Sequence, residues 1–150
     1  MSFVKALFFL SFAMLSSVRA FSPFRASSMR KIVQRNMITF TEGVEADTVA
    51  REWRCKWSAD DDKKSLAEIQ KALNDVLAEV KTVDGVKSVQ RVVCGGCLDY
   101  KVVIALPAEK FGAWEQKKFA PEEKFLSSVG GIKGVAQVET QTYTLMPVNL

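Results

Sequence analysis

Histidine is absent from all 150 residues of the chain. Its absence removes the commonest general base, the serine–histidine triads and most kinds of zinc site. Cysteine is scarce, with three residues, and the only long apolar run covers about ten residues where a membrane-spanning helix needs roughly 20. The sequence therefore predicts no catalytic set that can be named, no metal site and no bound cofactor.

Acidic side chains are missing from the first 41 residues, and the first one is Glu42. Six of the 21 basic side chains fall within residues 1–37, so the net charge of +4 belongs to that segment. The other 113 residues hold 15 basic and 17 acidic side chains, a net charge of minus 2. A region with so balanced a charge lacks the excess of positive charge that binds phosphate backbones, and we predict no nucleic-acid partner.

The beginning of the chain has the composition of two consecutive targeting segments. Residues 1–20 combine Lys5, an apolar run over residues 6–15 and small residues around Arg19, which is typical of a secretory signal peptide cleaved before Phe21. Residues 21–37 contain four basic residues, three serines and no acid, which is typical of a transit peptide.

The aromatic Phe21 directly after the predicted cut, with Pro23 close behind, resembles the bipartite plastid presequences of algae with a red-derived secondary plastid, such as diatoms. The resemblance implies a protein of the plastid stroma. Because the only long apolar run lies in the part expected to be cleaved, we predict no membrane association after processing. The alternative is an ordinary signal peptide on a secreted protein.

The rest of the chain divides into residues 38–50, short, polar and acidic and expected to be flexible, and a domain at 51–150. Residues 51–57 alternate strictly, which indicates a strand with Trp53, Cys55 and Trp57 on one face. Apolar residues at three-and-four spacing then predict a helix over residues 63–82, ended by Asp84-Gly85.

Two further β-rich runs, 86–94 and 98–106, are separated by Gly95-Gly96, which predicts a hairpin with a two-residue link. A second helical stretch begins at Pro107, breaks near Ala120-Pro121 and restarts, and residues 135–146 form a last strand. The order βαββαβ predicts an α+β, ferredoxin-like fold: a four-stranded antiparallel sheet with two helices on one face.

The middle strands carry adjacent apolar residues, Val92-Val93 and residues 102–104. A strand in a sheet with one solvent-exposed face should instead alternate polar and apolar residues. The second face is therefore expected to be buried, and the remaining chain is too short to cover it. We predict a homodimer that packs sheet to sheet.

The run from Asp84 to Val89, the hairpin, Phe111-x-x-Trp114, and the Phe119-Ala120-Pro121 segment with Phe125 resemble the stress-responsive dimeric α+β barrel proteins. This resemblance implies a dimeric α+β barrel. A weaker similarity links residues 96–100 to the hairpin of the ligand-binding module of Lrp/AsnC-type regulators. Both resemblances imply the same sheet-mediated dimer.

Aromatic side chains are candidates for a binding site for an apolar small molecule, because such pockets have mostly apolar walls. The alternative is that they fill the core between sheet and helices. The predicted ligand-binding residues are Trp53, Trp57, Tyr100, Phe111 and Trp114.

Cys94-Gly95-Gly96-Cys97 is the constellation that can carry chemistry without histidine. Cysteines that flank a tight turn lie within disulfide range, so Cys94 and Cys97 are predicted to be a redox pair. The alternatives are two reduced thiols at a hairpin tip, or half of a metal site with Cys55 on another strand.

In enzymes of the dimeric barrel type, histidines near the cavity carry much of the proposed chemistry, and the corresponding segment here reads Lys118-Phe119-Ala120-Pro121-Glu122. We therefore expect a non-catalytic, small-molecule-binding or regulatory plastid protein, redox-responsive through the hairpin cysteines. The alternative is a histidine-free enzyme of the dimeric barrel type that acts on an apolar substrate.

Overall fold

The computed structural model describes residues 36–148. The predicted targeting segments lie outside the described residues, apart from the last two residues of the second. None of the described helices is both long enough and apolar enough to cross a membrane. The order of elements is β1 (Ile38–Thr41), β2 (Val44–Ala46), β3 (Thr48–Lys56), α1 (Asp60–Lys81), β4 (Ser88–Val93), β5 (Asp99–Pro107), α2 (Ala108–Glu115), α3 (Glu122–Gly130) and β6 (Ala136–Leu145).

The main sheet has four antiparallel strands in the order β4-β5-β3-β6. From β3 onward the order of elements is that of the ferredoxin-like α+β fold, which confirms the predicted fold class. The second helical stretch is divided into α2 and α3 by a turn that includes a cis peptide bond between Ala120 and Pro121. The sheet is therefore covered by three helices rather than two.

Residues 38–50 differ from the flexible segment that the sequence analysis expects. Strands β1 and β2 pair as an antiparallel hairpin, and β3 already begins at Thr48. The turn between β1 and β2 contains Gly43 at a φ of +75°, a backbone conformation that glycine adopts without steric cost. β-prone residues on both sides of this glycine explain why the segment is folded.

The helix-facing side of the sheet holds the main core. Consecutive strand residues point to opposite faces, and Trp53 and Cys55 of β3 belong to one large buried cluster together with Trp57, which directly follows the strand. Helix α1 contributes its predicted apolar stripe to the same cluster, including Ile69, Leu73, Val76 and Val80. Residues 61–63 have positive φ, so regular helical geometry in α1 starts after Lys63, close to the predicted start.

The opposite side of the sheet, which we call the open face, carries a smaller cluster built from strand residues. Ala50 of β3 and Val103 and Ala105 of β5 are buried there, with Tyr143 of β6 packed against them. The buried apolar residues of all three helices belong to the other cluster. The two apolar faces inferred from the sequence are therefore present, and they differ in composition.

The loop between β4 and β5 is longer than predicted. Val93 pairs with Tyr100, and the backbone N–H of Cys94 donates to the carbonyl of Asp99 at 2.9 Å. Residues 95–98 therefore form a four-residue link in place of Gly95-Gly96 alone. Leu98, at a φ of +56°, turns the chain back, and its carbonyl accepts a hydrogen bond from the backbone N–H of Trp57.

Candidate functional site

The predicted ligand-binding residues are all buried and all belong to the core cluster between sheet and helices, but they do not line one common pocket. Tyr100 borders a cleft beside α1, and Trp114 borders a different cavity between the end of α1 and α2. The structure places the remaining three in the packed interior: Trp53, Trp57 and Phe111.

Ring contacts divide the core aromatics into two groups. Trp53 stacks on Phe125 of α3 with ring centroids 5.1 Å apart. Phe111 and Trp114 of α2 instead contact Phe119, at centroid distances of 5.6 and 5.3 Å, and they meet each other edge-on at 6.0 Å. This arrangement is that of a close-packed core, where aromatic pairs prefer offset and edge-to-face geometries.

A cleft of about 480 Å³ lies between the first half of α1 and strands β4 and β5. Its volume falls within the range of small-molecule sites, which is roughly 300–1,000 Å³. Its walls are largely apolar, and its lining residues are Asp62, Lys63, Leu66, Ala67, Gln70, Arg91, Val93 and Tyr100. We call it the α1–β4 cleft.

Three polar side chains converge at one end of the α1–β4 cleft. The Tyr100 hydroxyl donates to Oε1 of Gln70 at 3.0 Å, and Nη1 of Arg91 donates to the same oxygen at 2.6 Å. The register explains the meeting, because Arg91 and Val93 pair with Val102 and Tyr100 and share the helix-facing side of the sheet. Two donors therefore share a single neutral acceptor.

The charge state of these donors follows from their surroundings. Burial raises the pKa of the Tyr100 phenol to about 12, against the lowering influence of the Arg91 cation, so the phenol keeps its proton at neutral pH. Arginine remains protonated throughout the physiological range. In the described part of the chain Arg91 forms no ion pair with a carboxylate. The end of the cleft thus presents two donors, and one of them, Arg91, is a cation without an ion-pair partner among the described residues.

The cleft continues past this group of polar residues. A second cavity of about 420 Å³ is lined by Gln70, Leu73, Leu77, Lys81, Val89 and Arg91. Both cavities share Gln70 and Arg91, whose hydrogen bond crosses the groove between α1 and edge strand β4. An elongated apolar molecule lying in this groove would contact polar groups near its middle.

Gln70 and Arg91 are the cleft residues that the sequence analysis missed. A signal was available, since Gln70 occupies a polar position in the stripe that otherwise reads Leu66, Leu73 and Leu77. Arg91 similarly interrupts the β-rich run that becomes β4. A polar residue on an otherwise apolar face needs a hydrogen-bond partner, so the two interruptions predict each other.

A separate polar cluster fastens α3 to the sheet. Both carboxylate oxygens of Glu122 accept from Arg51, at 2.7 and 2.8 Å, and Nε1 of Trp53 donates to the same carboxylate at 2.7 Å. Arg51 also donates to Thr140 and Thr142 of β6, and its guanidinium lies 4.3 Å from the centre of the Phe119 ring. With so many partners satisfied, this cluster is a structural clamp.

The open face holds a third polar group around a buried carboxylate. Glu52 is 4 % exposed, and its Oε2 accepts from the Tyr143 hydroxyl at 2.8 Å. Nζ of Lys101 lies 3.3 Å from Oε1 as an ion pair, although Oε1 has no well-aligned hydrogen bond. Burial, followed by the bond to Glu52, raises the pKa of Tyr143 to about 12.

The three cysteines take up two different environments. Cys94 and Cys97 are joined by a disulfide at the hairpin tip, with Cα atoms 5.6 Å apart. Cys55 is free and buried in the core, where desolvation and the Asp99 charge raise the pKa of its thiol to about 11. Within residues 36–148 no three histidine, cysteine, aspartate or glutamate side chains cluster closely enough to hold a metal ion.

Comparisons with known proteins support the fold. A candidate antibiotic biosynthesis monooxygenase from Deinococcus radiodurans is 13% identical over 68% of this chain and 97% of its own, with a TM-score of 0.50. SnoaB, a cofactor-independent oxygenase from Streptomyces nogalater, is 14% identical over 69% and 97% with a TM-score of 0.46. A dimeric ferredoxin-like protein of unknown function from Thermobifida fusca YX is 14% identical over 67% and 92%, also with a TM-score of 0.46.

No protein-family model and no curated protein matches the chain. The structural likenesses establish a ferredoxin-like fold, consistent with a dimeric α+β barrel. The similarities to stress-responsive barrels and to the Lrp/AsnC module continue to rest on the sequence motifs.

The comparisons correct our prediction of a non-catalytic binding or regulatory protein. The Deinococcus protein, whose fold matches along nearly its whole length, is named as a candidate monooxygenase. That name contradicts the expectation of a non-catalytic protein, and the histidine-free enzyme is the interpretation that we carry forward. At 13% identity the likeness shows the fold alone, so the reaction itself is a matter of proposal.

Proposed function

We propose that the protein is a histidine-free enzyme of the dimeric α+β barrel type, which binds an apolar substrate with an acidic hydroxyl or enol group in the α1–β4 cleft. The observation that carries the proposal is the convergence of Tyr100 and Arg91 on Gln70 at an apolar cleft of substrate size. Pockets of this kind use a few well-placed polar groups to orient an otherwise apolar ligand.

The two donors define the proposed chemistry. A substrate oxygen that takes the place of Gln70 Oε1 would receive hydrogen bonds from the Tyr100 hydroxyl and the Arg91 guanidinium. Both interactions favour the anion, since a nearby opposite charge and hydrogen bonds to the ionised form each lower a pKa. Tyr100 and Arg91 are therefore the residues that stabilise the phenolate or enolate, and Gln70 holds them in position before the substrate binds.

The reaction class that fits such an anion is oxygenation by dioxygen. An electron-rich phenolate or enolate can give up electrons to dioxygen, and an activated methylene then becomes a carbonyl while the second oxygen atom leaves as water. The atoms balance as one methylene compound plus one dioxygen giving one ketone plus one water. The name of the Deinococcus neighbour supports a monooxygenase in particular.

A direct test uses 2-naphthol, an apolar phenol whose ionisation is visible by absorbance. We expect saturable binding and a pKa of bound naphthol lowered by about one unit, because the Arg91 charge favours the naphtholate. The Arg91→Gln variant should lose the shift and bind about tenfold more weakly, while Tyr100→Phe should weaken binding by a smaller factor. Dioxygen uptake with polycyclic phenols and aryl ketones then tests the reaction.

The matched control is Arg54→Gln, which removes an arginine on the open face of the sheet that pairs with Glu139. This variant should bind 2-naphthol as the native protein does. Native-like naphthol binding by Arg91→Gln, or no saturable binding by the native protein, would contradict the assignment of the cleft.

We also propose that the protein is a homodimer whose two sheets face each other. Support comes from the apolar character of the open face, which carries Ala50, Val103 and Ala105 and to which the described helices contribute no residue of the cluster. Sheet-to-sheet pairing of two copies gives a closed twofold assembly in which the same patch is used on both subunits.

The location in the plastid stroma stays a proposal that rests on residues 1–37. Fusion of this segment to a fluorescent protein in a diatom should direct it to the plastid, and Phe21→Ala in the fusion should prevent entry into the stroma. Secretion of the unmodified fusion would contradict the plastid interpretation and support the secreted alternative.

A further inference from the structure

The disulfide between Cys94 and Cys97 lies where a reacting partner can reach it. It joins the ends of a short loop at the tip of the β4–β5 hairpin, and Cys97 is exposed while Cys94 is half-buried. Gly95 and Gly96 between them are exposed, and a side-chain carbon built on either would meet no atom within 4 Å. An attacking thiolate therefore meets open space on the loop side.

The two sulfur atoms have different electrostatic surroundings. The backbone N–H of Cys97 donates to Sγ of Cys94 at 3.1 Å, an interaction that stabilises negative charge on that sulfur. Oδ2 of Asp99 lies 3.3 Å from Sγ of Cys97, so a thiolate at Cys97 would meet a carboxylate. Both observations favour Cys94 as the sulfur that carries negative charge when the disulfide opens.

Lys56 holds this arrangement in place from the neighbouring strand. Its Nζ lies 2.6 Å from Oδ1 of Asp99 and donates to the carbonyl of Cys97 at 2.8 Å. The hydrogen bond from Lys56 is the main reason that the pKa of Asp99 lies below its usual value, so the carboxylate is ionised at neutral pH. The asymmetry between the sulfurs is therefore present under physiological conditions.

We propose that Cys94 and Cys97 are a thiol–disulfide exchange site that accepts two electrons from a dithiol, with Cys97 as the sulfur attacked and Cys94 as the leaving group. A thiolate of the dithiol bonds to Cys97 Sγ, the Cys94–Cys97 bond breaks, and its electron pair leaves on Cys94. The second thiolate of the dithiol then attacks the dithiol sulfur that is bonded to Cys97. An intramolecular disulfide of the reductant forms, and Cys97 is released as a thiolate. The dithiol is oxidised to a disulfide, and the protein gains two thiols with two protons.

This proposal does not depend on the function proposed for the α1–β4 cleft, since neither sulfur lines the cleft and the test needs no substrate. The disulfide-bearing loop does, however, connect the paired residues Val93 and Tyr100, which both line the α1–β4 cleft. A protein that fails to bind naphthol would still be expected to show the exchange chemistry, and the reverse also holds.

The first experiment is a redox titration of the purified 150-residue protein with mixtures of reduced and oxidised dithiothreitol. Native protein is then alkylated and weighed by intact mass spectrometry. We expect two labels to appear together in one two-electron transition, while Cys55 stays unlabelled because its thiol is buried and its pKa is raised. Closing so small a loop removes little chain entropy, so the fold should survive reduction.

The second experiment assigns the roles of the two sulfurs. In the reduced state, Cys97→Ser leaves Cys94 and Cys94→Ser leaves Cys97, and both retain the backbone N–H of residue 97. We expect Cys94 to be alkylated by iodoacetamide about tenfold faster at pH 7, which corresponds to a thiol pKa about one unit lower. Asp99→Asn should speed the alkylation of Cys97 and leave that of Cys94 nearly unchanged.

Several results would overturn the proposal. They are appearance of the two labels in separate steps, no response of the pair to the dithiothreitol ratio, and labelling of all three cysteines at the same rate. Faster alkylation of Cys97 than of Cys94 would reverse the assigned roles and overturn that part. The titration of the native protein remains decisive even if a serine variant folds poorly.

Discussion

The two faces of the main sheet are built from the same strands but differ in the size and polarity of the side chains that they bury. On β3, Trp53 and Cys55 point to the helices and lie in a core rich in aromatic side chains, whereas Ala50 and Glu52 point to the open face. The helix-facing side buries large apolar groups, each stabilising the fold by roughly 1.5–3 kcal/mol. The open face combines small side chains with a buried carboxylate held by Tyr143 and Lys101.

This difference indicates what each face is for. Large apolar side chains between a sheet and its helices supply the free energy of folding within one chain. A patch of small residues with a buried ionic group contributes less to stability. Because a buried charge needs well-placed partners, a surface that packs against this patch must leave the ion pair and hydrogen bonds of the carboxylate intact. We therefore expect substitutions on the two faces to separate folding from association.

The largest expected effect separates the two faces at adjacent residues. Val102 is fully buried in the main core and Val103 belongs to the open-face cluster. Val102→Lys should prevent folding or cost about 4 kcal/mol or more, because it places an ammonium group in the apolar core. Val103→Lys should leave the monomer folded, since the new ammonium lies opposite Glu52, and should weaken the dimer at least tenfold. Circular dichroism measures the first effect and sedimentation velocity the second.

The comparison would be broken if Val103→Lys unfolded the chain as completely as Val102→Lys does. A native protein that sediments as a monomer at micromolar concentration would refute the sheet-to-sheet dimer, whatever the variants do.

An intermediate effect is expected at the polar clamp on the helix-facing side. Glu122→Gln keeps the shape of the side chain but removes the charge that accepts hydrogen bonds from Arg51 and Trp53. The free energy of unfolding should fall by about 2 kcal/mol, the usual scale for hydrogen bonds to a charged group. Urea unfolding measures the change.

Glu123→Gln is the control for the clamp, because it removes an exposed carboxylate from the same first turn of α3. Both substitutions lose the favourable interaction with the helix N-terminus, so their difference isolates the clamp. An equal effect of the two would show that Glu122 acts through the helix dipole alone.

The smallest expected effect is at Tyr143 on the open face. Tyr143→Phe removes the donor to the buried Glu52 carboxylate and should cost about 1 kcal/mol at pH 8. The pKa of Tyr143 is raised to about 12 from 10.0, so its contribution is fully present below pH 10 and is lost as the pH rises through 12. Tyr100 follows the same direction on the other face.

Urea unfolding midpoints at pH 8, 10 and 11 check this prediction. The native protein should lose stability between pH 10 and 11, and Tyr143→Phe should show a shallower loss. An identical pH dependence of the native protein and the variant would contradict the coupling of Tyr143 to Glu52.

The secondary structure of the domain followed closely from local sequence patterns. Alternation identified β3, three-and-four spacing identified α1, and paired glycines placed the hairpin, because these periodicities follow directly from backbone geometry. The predictions were wrong where only a few residues carried the sequence pattern. Residues 38–46 form a hairpin that a few β-prone residues and one glycine define, and the loop at the hairpin tip includes Leu98 in a left-handed conformation that its residue type does not favour.

The candidate site was less accessible from the sequence than the fold. Aromatic residues attracted attention as ligand-binding residues, but a packed core and a pocket have the same composition, and only Tyr100 borders the α1–β4 cleft. The cleft is completed by Gln70 and Arg91, which lie 21 positions apart on different elements. Their meeting depends on how α1 crosses the sheet, which no local pattern encodes.

The sequence by itself therefore determined the elements, their order and the two-sided apolar character of the central strands, because each is written in side-chain periodicity along the chain. Only the tertiary structure decided which aromatic residues are core and which border a cavity, and which side chains meet across elements. The physical reason is that hydrogen bonds such as those of Gln70 with Tyr100 and Arg91, or of Glu122 with Arg51 and Trp53, require distant segments to be brought within about 3 Å.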